Sequence, residues 1–212
     1  DFVDAESSVL RYEVAFGTSP GDQSLRAFDD VGTLTAVSYV VSPIPSGTIV
    51  YVSVRGYNSA GVYTTACSSG ALYETTPPVA GAVHILGEAG TATRYVNASG
   101  QLHISWDAFY DNETSPLMYS YSLCLLEDQA ACLADSIAVG NATEVFSTAW
   151  ELVHGSEYVV LVRATNGVGM KTDAFSSSIV ADQTAPVAGV VVKTVFDSQM
   201  DLNFMNGSSD IV

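Results

Sequence analysis

Apolar and polar residues alternate with a period of two along much of the chain. Leu102, Ile104 and Trp106 fall on one face of such a run, and His103 and Ser105 fall on the other. Because successive side chains of a β-strand point to opposite faces, this run predicts a half-buried strand with Trp106 in the core. Two further runs predict strands with these inward faces: Leu117, Tyr119, Tyr121 and Leu123, then Tyr158, Val160, Val162 and Ala164.

Prolines and turn residues set the limits of these strands. Pro77 and Pro78 lack the N–H that a central strand needs, so residues 76–85 predict a linker that runs into an edge strand. Residues 143–150 predict another strand, and a turn at 166–169 leads into a closing strand from Phe175 to Val180. The pattern therefore predicts short strands joined by tight turns.

The chain repeats itself with an offset of 107 to 108 residues. Residues 4–7 (Asp-Ala-Glu-Ser) match 111–114 (Asp-Asn-Glu-Thr), Asn58 and Gly61 match Asn166 and Gly169, and residues 76–81 match 184–189. This offset predicts a tandem array: the later strands of a first repeat (1–76), a complete second repeat (77–184) and the opening strand of a third (185–212). A repeat without its first strands exposes a core face and an unpaired edge, so we expect the natural polypeptide to continue in both directions.

Composition and charge narrow the classes of function. Of 212 residues, 48% are apolar, which is enough to bury a core. The net charge of −16 comes from 23 acidic and 7 basic residues, so it repels phosphate backbones and excludes a nucleic-acid partner. No apolar run is long enough to span a bilayer, so we expect no direct membrane insertion in this segment.

Glycosylation sequons and cysteines indicate an extracellular or cell-surface location. Cys124 and Cys132 have a spacing that could join neighbouring strands by a disulfide in an oxidising compartment. We interpret the remaining Cys67 as a small buried apolar residue rather than as a reactive or intermolecular thiol. Four sequons predict N-linked glycans: Asn97, Asn112, Asn141 and Asn206.

The second repeat resembles a fibronectin type III domain. Residues 152–155 (Leu-Val-His-Gly) with Tyr158, then 162–166 (Val-Arg-Ala-Thr-Asn) and Gly169, resemble its second half, and 102–106 resemble its second strand. The resemblance implies tandem antiparallel β-sandwich repeats, fibronectin type III or immunoglobulin-like, of the kind found in large eukaryotic extracellular proteins. It also implies that the Tyr158 hydroxyl bonds back to the backbone. In the family this bond forms a tyrosine corner. In the first copy Val50 stands at the position of Tyr158 and Tyr51 follows one place later, so the tyrosine corner of that copy is altered or absent.

Candidate chemistry is sparse. The histidines His84, His103 and His154 have no metal-site spacing, and they are interpreted as surface residues. No nucleophile elbow, phosphate-binding glycine loop or zinc-protease motif occurs, so the sequence predicts neither an enzyme nor a cofactor.

Acidic turns offer the one candidate metal site, for calcium. Calcium takes oxygen ligands, often carboxylates at alternating positions of a turn. The chain lacks the dense acidic cluster of calcium-stiffened repeats, so solvated turns are favoured over calcium. The candidates are Asp4, Glu6, Asp111 and Glu113, with Asp107 and the junction residues Glu74 and Asp182 beside them.

These features predict a structural segment of a long glycoprotein, in which stiff repeats form a stalk, sheath or filament. Its partners are then neighbouring repeats of the same polypeptide, further copies in self-assembly, or other surface proteins. One alternative is an adhesion or ligand-binding module that contacts protein or glycan through exposed loop aromatics, Phe109, Tyr110 and Tyr63. Another is a spacer beside an enzyme domain outside this segment.

Overall fold

The computed structural model describes residues 2–41, 43–87, 90–97, 101–129, 132–133, 136–147 and 150–190. Contacts divide the chain into two compact units, Asp1–Asp182 and Gln183–Val212. All strands of the described residues lie in the first unit, and no helix occurs among those residues. The strands are β1 (Val9–Gly17), β2 (Arg26–Gly32), β3 (Thr48–Asn58), β4 (Tyr63–Cys67), β5 (Ala71–Tyr73), β6 (Val83–Leu86), β7 (Tyr95–Val96), β8 (His103–Trp106), β9 (Met118–Leu125), β10 (Ile137–Gly140), β11 (Glu144–Phe146), β12 (Glu157–Thr165), β13 (Lys171–Phe175) and β14 (Ile179–Ala181).

The strands form three sheets. β1 to β5 make a five-stranded sheet in the order β2-β1-β3-β4, with β5 also paired to β3. The later strands make a six-stranded sheet, β10-β9-β12-β14-β7 with β13 on β12, and a three-stranded sheet, β11-β8-β6. Every pair is antiparallel except β14 with β7.

The six- and three-stranded sheets pack face to face around one apolar core. Ile104 and Trp106 from β8 meet Leu123 from β9 and Val160 and Val162 from β12. These side chains are at most 4% exposed, as the period-two pattern predicts. Residues 83–181 therefore form a two-sheet β-sandwich.

Strand pairing repeats with the same offset as the sequence. In the first copy Tyr12 pairs with Gly56 across β1 and β3. In the second copy Tyr119 pairs with Ala164 across β9 and β12. β2 and β10 occupy the same place beside β1 and β9, and β4 and β5 match β13 and β14. The prediction of an all-β chain of tandem antiparallel β-sandwich repeats is confirmed.

The first copy has the counterpart of only one of the two sheets within the described residues. Residues 36–38, which align with β11, form no strand. As a result Leu10 is 57% exposed, whereas its counterpart Leu117 is 6% exposed in the core of the second copy. The inner face of the first sheet is thus open at Leu10, whereas Val14 farther along the same face is buried.

Three sequence predictions need correction. The closing strand predicted at 175–180 is two strands, β13 and β14, because the chain breaks at Ser176, whose Oγ accepts the Val160 N–H at 3.0 Å. The strand predicted at 143–150 is limited to β11 in the described residues. Cys67 is exposed rather than buried, because it ends the edge strand β4.

The tyrosine corner gives a first testable prediction. The Tyr158 hydroxyl accepts the Val153 N–H at 2.9 Å, and Tyr158 is 1% exposed. Tyr158→Phe leaves that N–H without its partner, so we expect the free energy of unfolding to fall by about 1 kcal/mol. Urea unfolding followed by tryptophan fluorescence measures this loss, because both tryptophans, Trp106 and Trp150, lie in the second copy.

The matched control is Tyr95→Phe, at a side chain that is 61% exposed. We expect its urea midpoint to stay within error of the original protein. Equal losses in the two variants would contradict a specific role for the Tyr158 hydroxyl.

Candidate functional site

The best-defined polar site is the junction between the two copies, formed by residues 74–79, the first part of the linker from β5 to β6. Pro77 and Pro78 restrict this linker to extended backbone. The Val79 N–H donates to the Tyr110 carbonyl at 2.7 Å, and the Tyr110 N–H returns a bond to Val79 at 3.0 Å. The Thr172 hydroxyl donates to the Pro78 carbonyl at 2.6 Å. The linker is thereby bonded to the loop after β8 and to strand β13 of the second copy.

Two turns of the second copy hold the polar groups that contact the linker. Asp111 Oδ1 accepts the N–H groups of Glu113 and Thr114 at 3.0 and 2.9 Å, which fixes the turn after β8. Asn166 Oδ1 accepts the Met170 N–H at 2.8 Å, which fixes the turn between β12 and β13. The two turns meet where Asn166 Nδ2 donates to Asp111 Oδ2 at 3.3 Å.

Asn166 also connects these turns to the linker. Its Nδ2 donates to the Thr76 carbonyl at 3.2 Å and to a carboxylate oxygen of Glu74. The Thr76 hydroxyl donates to Glu113 at 3.1 Å. Asn166 and Glu74 are each 6% exposed, so this contact is excluded from solvent. The sequence predicts Asn166 only as a turn residue that aligns with Asn58 of the first copy.

Three carboxylates gather at the junction: one oxygen each of Glu74, Asp111 and Glu113 lies within 4.8 Å of the others. Burial raises the pKa of Glu74, and the negative charges of Asp111 and Glu113 raise it further. Burial also raises the pKa of Asp111, but hydrogen bonds from the Thr114 and Glu113 N–H groups outweigh it and hold that pKa below its ordinary value.

These carboxylates include two of the four predicted calcium candidates, Asp111 and Glu113. The other two, Asp4 and Glu6, lie in the matching turn of the first copy. All three junction carboxylates accept hydrogen bonds from Asn166 or from Thr76 or Thr114 side chains. Hydrogen bonding between linker and loops therefore accounts for the acidic residues at the junction, and calcium binding stays a prediction.

The raised pKa of Glu74 makes junction stability depend on pH. A group whose pKa is raised on folding contributes its stability below its ordinary pKa, here 4.5, and loses it as pH rises through the folded value. Glu74→Gln keeps an oxygen for Asn166 without the charge. We expect this variant to have a higher urea midpoint than the original at pH 7, and the gain to vanish below pH 4.5.

Urea titrations at several pH values measure the difference between the two proteins. The control for loss of one negative charge is Glu6→Gln, at an exposed position. A Glu74→Gln variant that is less stable than the original at pH 7, or whose difference is independent of pH, contradicts this account of Glu74.

Of the remaining predicted site residues, Asn112 lies in the junction turn between Asp111 and Glu113, and Cys124, Cys132, Asn97 and Asn141 lie elsewhere in the chain. Cys124 and Cys132 are joined by a disulfide next to β9. Asn97, Asn112 and Asn141 are exposed, and Asn206 lies outside the described residues.

Of the histidines and loop aromatics, Tyr110 belongs to the junction through its backbone bonds with Val79. His103 stacks on Phe146 at 4.2 Å between ring centroids and lies 2.5 Å from Glu144. Of the loop aromatics assigned to adhesion, Tyr110 and Tyr63 are exposed, but Phe109 is 5% exposed, so its assignment was wrong. The Phe109 N–H donates to the buried Tyr119 hydroxyl at 3.0 Å, which draws Phe109 into the core.

Comparisons with known proteins concern the fold. No protein-family model matches the chain, and no curated protein matches it. The FN1–FN3 domains of chicken CNTN1 are similar in structure, with a TM-score of 0.41 and 20% identity, over 79% of this chain and 56% of that one. CopC from Methylosinus trichosporium OB3b has a TM-score of 0.32 and 17% identity, over 50% of this chain and 99% of that one. The chain thus spans about half of the CNTN1 fragment.

The described part of the chain contains no helix with the length and apolar character needed to cross a bilayer.

Proposed function

We propose that this chain is a structural segment of a long extracellular or cell-surface glycoprotein, in which β-sandwich repeats form a stiff stalk, sheath or filament. The observation that carries this proposal is the docked linker between the two copies. Tyr110, Thr172 and Asn166 bond to linker positions from Thr76 to Val79. A linker held at several points resists bending more than one held only by its covalent ends.

The shared register of the two copies supports an array. A unit that recurs at a fixed offset, and that contacts the next unit through defined groups, gives a constant step between neighbours. A constant step produces a regular elongated object, and this favours mechanical or spacing work over chemistry at a single site.

Three further features support an extracellular location. The disulfide between Cys124 and Cys132 requires an oxidising compartment to persist. Asn97, Asn112 and Asn141 are exposed, as glycan acceptors must be. The net charge of −16 keeps crowded copies apart and favours solubility.

Electron microscopy of the native polypeptide tests this proposal. We expect straight rods of beads, with one bead for each 108 residues of sequence. Flexible strings in which neighbouring beads take many relative angles would contradict a stiff stalk, sheath or filament.

A further inference from the structure

The first copy carries the same polar groups that hold the linker in the second copy. Asp4, Asn58 and Thr64 stand at the positions of Asp111, Asn166 and Thr172, with offsets of 107 or 108 residues. Val3 stands at the position of Tyr110, whose backbone pairs with Val79. We call Val3, Asp4, Asn58 and Thr64 the first-copy socket.

The socket already has the geometry seen at the occupied junction. Asp4 Oδ1 accepts the N–H groups of Glu6 and Ser7 at 3.1 and 2.7 Å, as Asp111 does in its own turn. Asp4 Oδ2 accepts Asn58 Nδ2 at 3.0 Å. Asn58 Oδ1 accepts the Val62 N–H at 3.0 Å, the counterpart of the Met170 bond. The groups are therefore oriented before any partner arrives.

The socket differs from the junction in what covers it. Within the described residues Asn58 Nδ2 donates to Asp4 alone, although an amide nitrogen has two hydrogens to donate. Thr64 is exposed and Val3 is 90% exposed, whereas Thr172 is half-buried beneath the linker. Asn58 is half-buried, whereas Asn166 is buried. The groups that bind the linker at the junction are accessible in the first copy.

The sequences of the two linkers indicate which peptide would fit the first-copy socket. Both follow the pattern acid-x-Thr-x-Pro-Val. In the first linker these four positions supply its contacts: the Glu74 carboxylate, the Thr76 carbonyl and hydroxyl, the Pro78 carbonyl and the Val79 backbone. Four of the positions that agree between the two linkers, in residue or in acidic character, are the ones that make these contacts in the first. They are Glu74, Thr76, Pro78 and Val79 in the first linker, and Asp182, Thr184, Pro186 and Val187 in the second.

We propose that the first-copy socket binds the acid-x-Thr-x-Pro-Val linker of a neighbouring repeat. The inference rests on the proposed repeat array and names the contact by which one repeat is held to the next. The acidic residue approaches Asp4, and the Asn58 amide lies between the two carboxylates, as Asn166 lies between Glu74 and Asp111. Asparagine thus allows two acidic residues to meet without a basic residue.

Nuclear magnetic resonance of the ¹⁵N-labelled 212-residue chain tests the socket. The probe is an unlabelled peptide with the sequence of residues 74–81. We expect the Asn58 side-chain amide signal and the Val3 and Thr64 backbone signals to shift as peptide is added. The shifts should saturate at millimolar peptide. The Asn166 amide should not shift, because its own linker already occupies it. A shuffled peptide of the same composition is the control.

Two variants make the result specific. Asn58→Ala should abolish the shifts of the Val3 and Thr64 backbone signals, and Thr64→Val, at an exposed position, should weaken binding about fivefold through loss of one hydrogen bond. The proposal is overturned if the Asn58 amide does not move at millimolar peptide, or if the shuffled peptide moves it equally. Neither result bears on the stiffness of the native polypeptide, which microscopy measures separately.

Discussion

Leu117→Ala should lower the free energy of unfolding of the second copy by about 3 kcal/mol, because it opens a cavity in the sandwich core. Leu10→Ala, at the equivalent position of the first copy, should cost the first copy less than about 1 kcal/mol. The residue type and repeat position are the same in both variants. Only burial differs, with Leu117 at 6% and Leu10 at 57% exposed.

Urea unfolding followed by amide signals of each copy measures both losses separately. Signals from β9 and β12 report the second copy, and signals from β1 and β3 report the first. If the two substitutions cost the same, the inner face of the first sheet is covered in solution, and the difference between the copies described above does not hold.

Asn166→Ala should release the linker from the second copy. The substitution removes the bonds to Glu74, Thr76 and Asp111, and we expect a loss of about 2 kcal/mol in the free energy of opening the junction. Hydrogen exchange of the Val79 N–H measures it, since that N–H is bonded to Tyr110 only while the linker is docked. The expected change is faster exchange by about thirtyfold.

Asn58→Ala is the matched control for this variant. It removes an asparagine from the equivalent turn of the first copy, where Asn58 Nδ2 donates to Asp4. Exchange of the Val79 N–H should be unchanged. Unchanged exchange in Asn166→Ala as well would show that the prolines and the Tyr110 pairing hold the linker without the asparagine.

The sequence predicted the sandwich core because strand alternation and burial are linked directly. Leu102, Ile104 and Trp106 share one face of their strand because of their spacing in the sequence. In a two-sheet sandwich the opposite sheet covers that face, so these side chains are buried. The repeat offset likewise predicted which strands of the two copies correspond, because equivalent residues form equivalent strands and those strands pair in the same way.

Features that depend on contacts between distant segments were not predictable in this way. Phe109 lies in a loop two residues after Asp107, and contacts with Tyr119 explain its burial: its N–H donates to the Tyr119 hydroxyl and its ring packs edge-on against the Tyr119 ring. Cys67 is apolar, but it is exposed because it ends the edge strand β4, opposite Ser53. Glu74 and Asn166 are 92 residues apart, and no local pattern joins a linker acid to a turn amide.

Residual dipolar couplings test most directly the central claim, that a docked linker holds neighbouring repeats as one body. They are measured for amides of β1 and β3 and for amides of β9 and β12, in a single alignment medium. We expect one alignment tensor to fit both sets in the original protein, and two tensors to be needed for Asn166→Ala. Two tensors of different magnitude in the original protein would contradict the central claim.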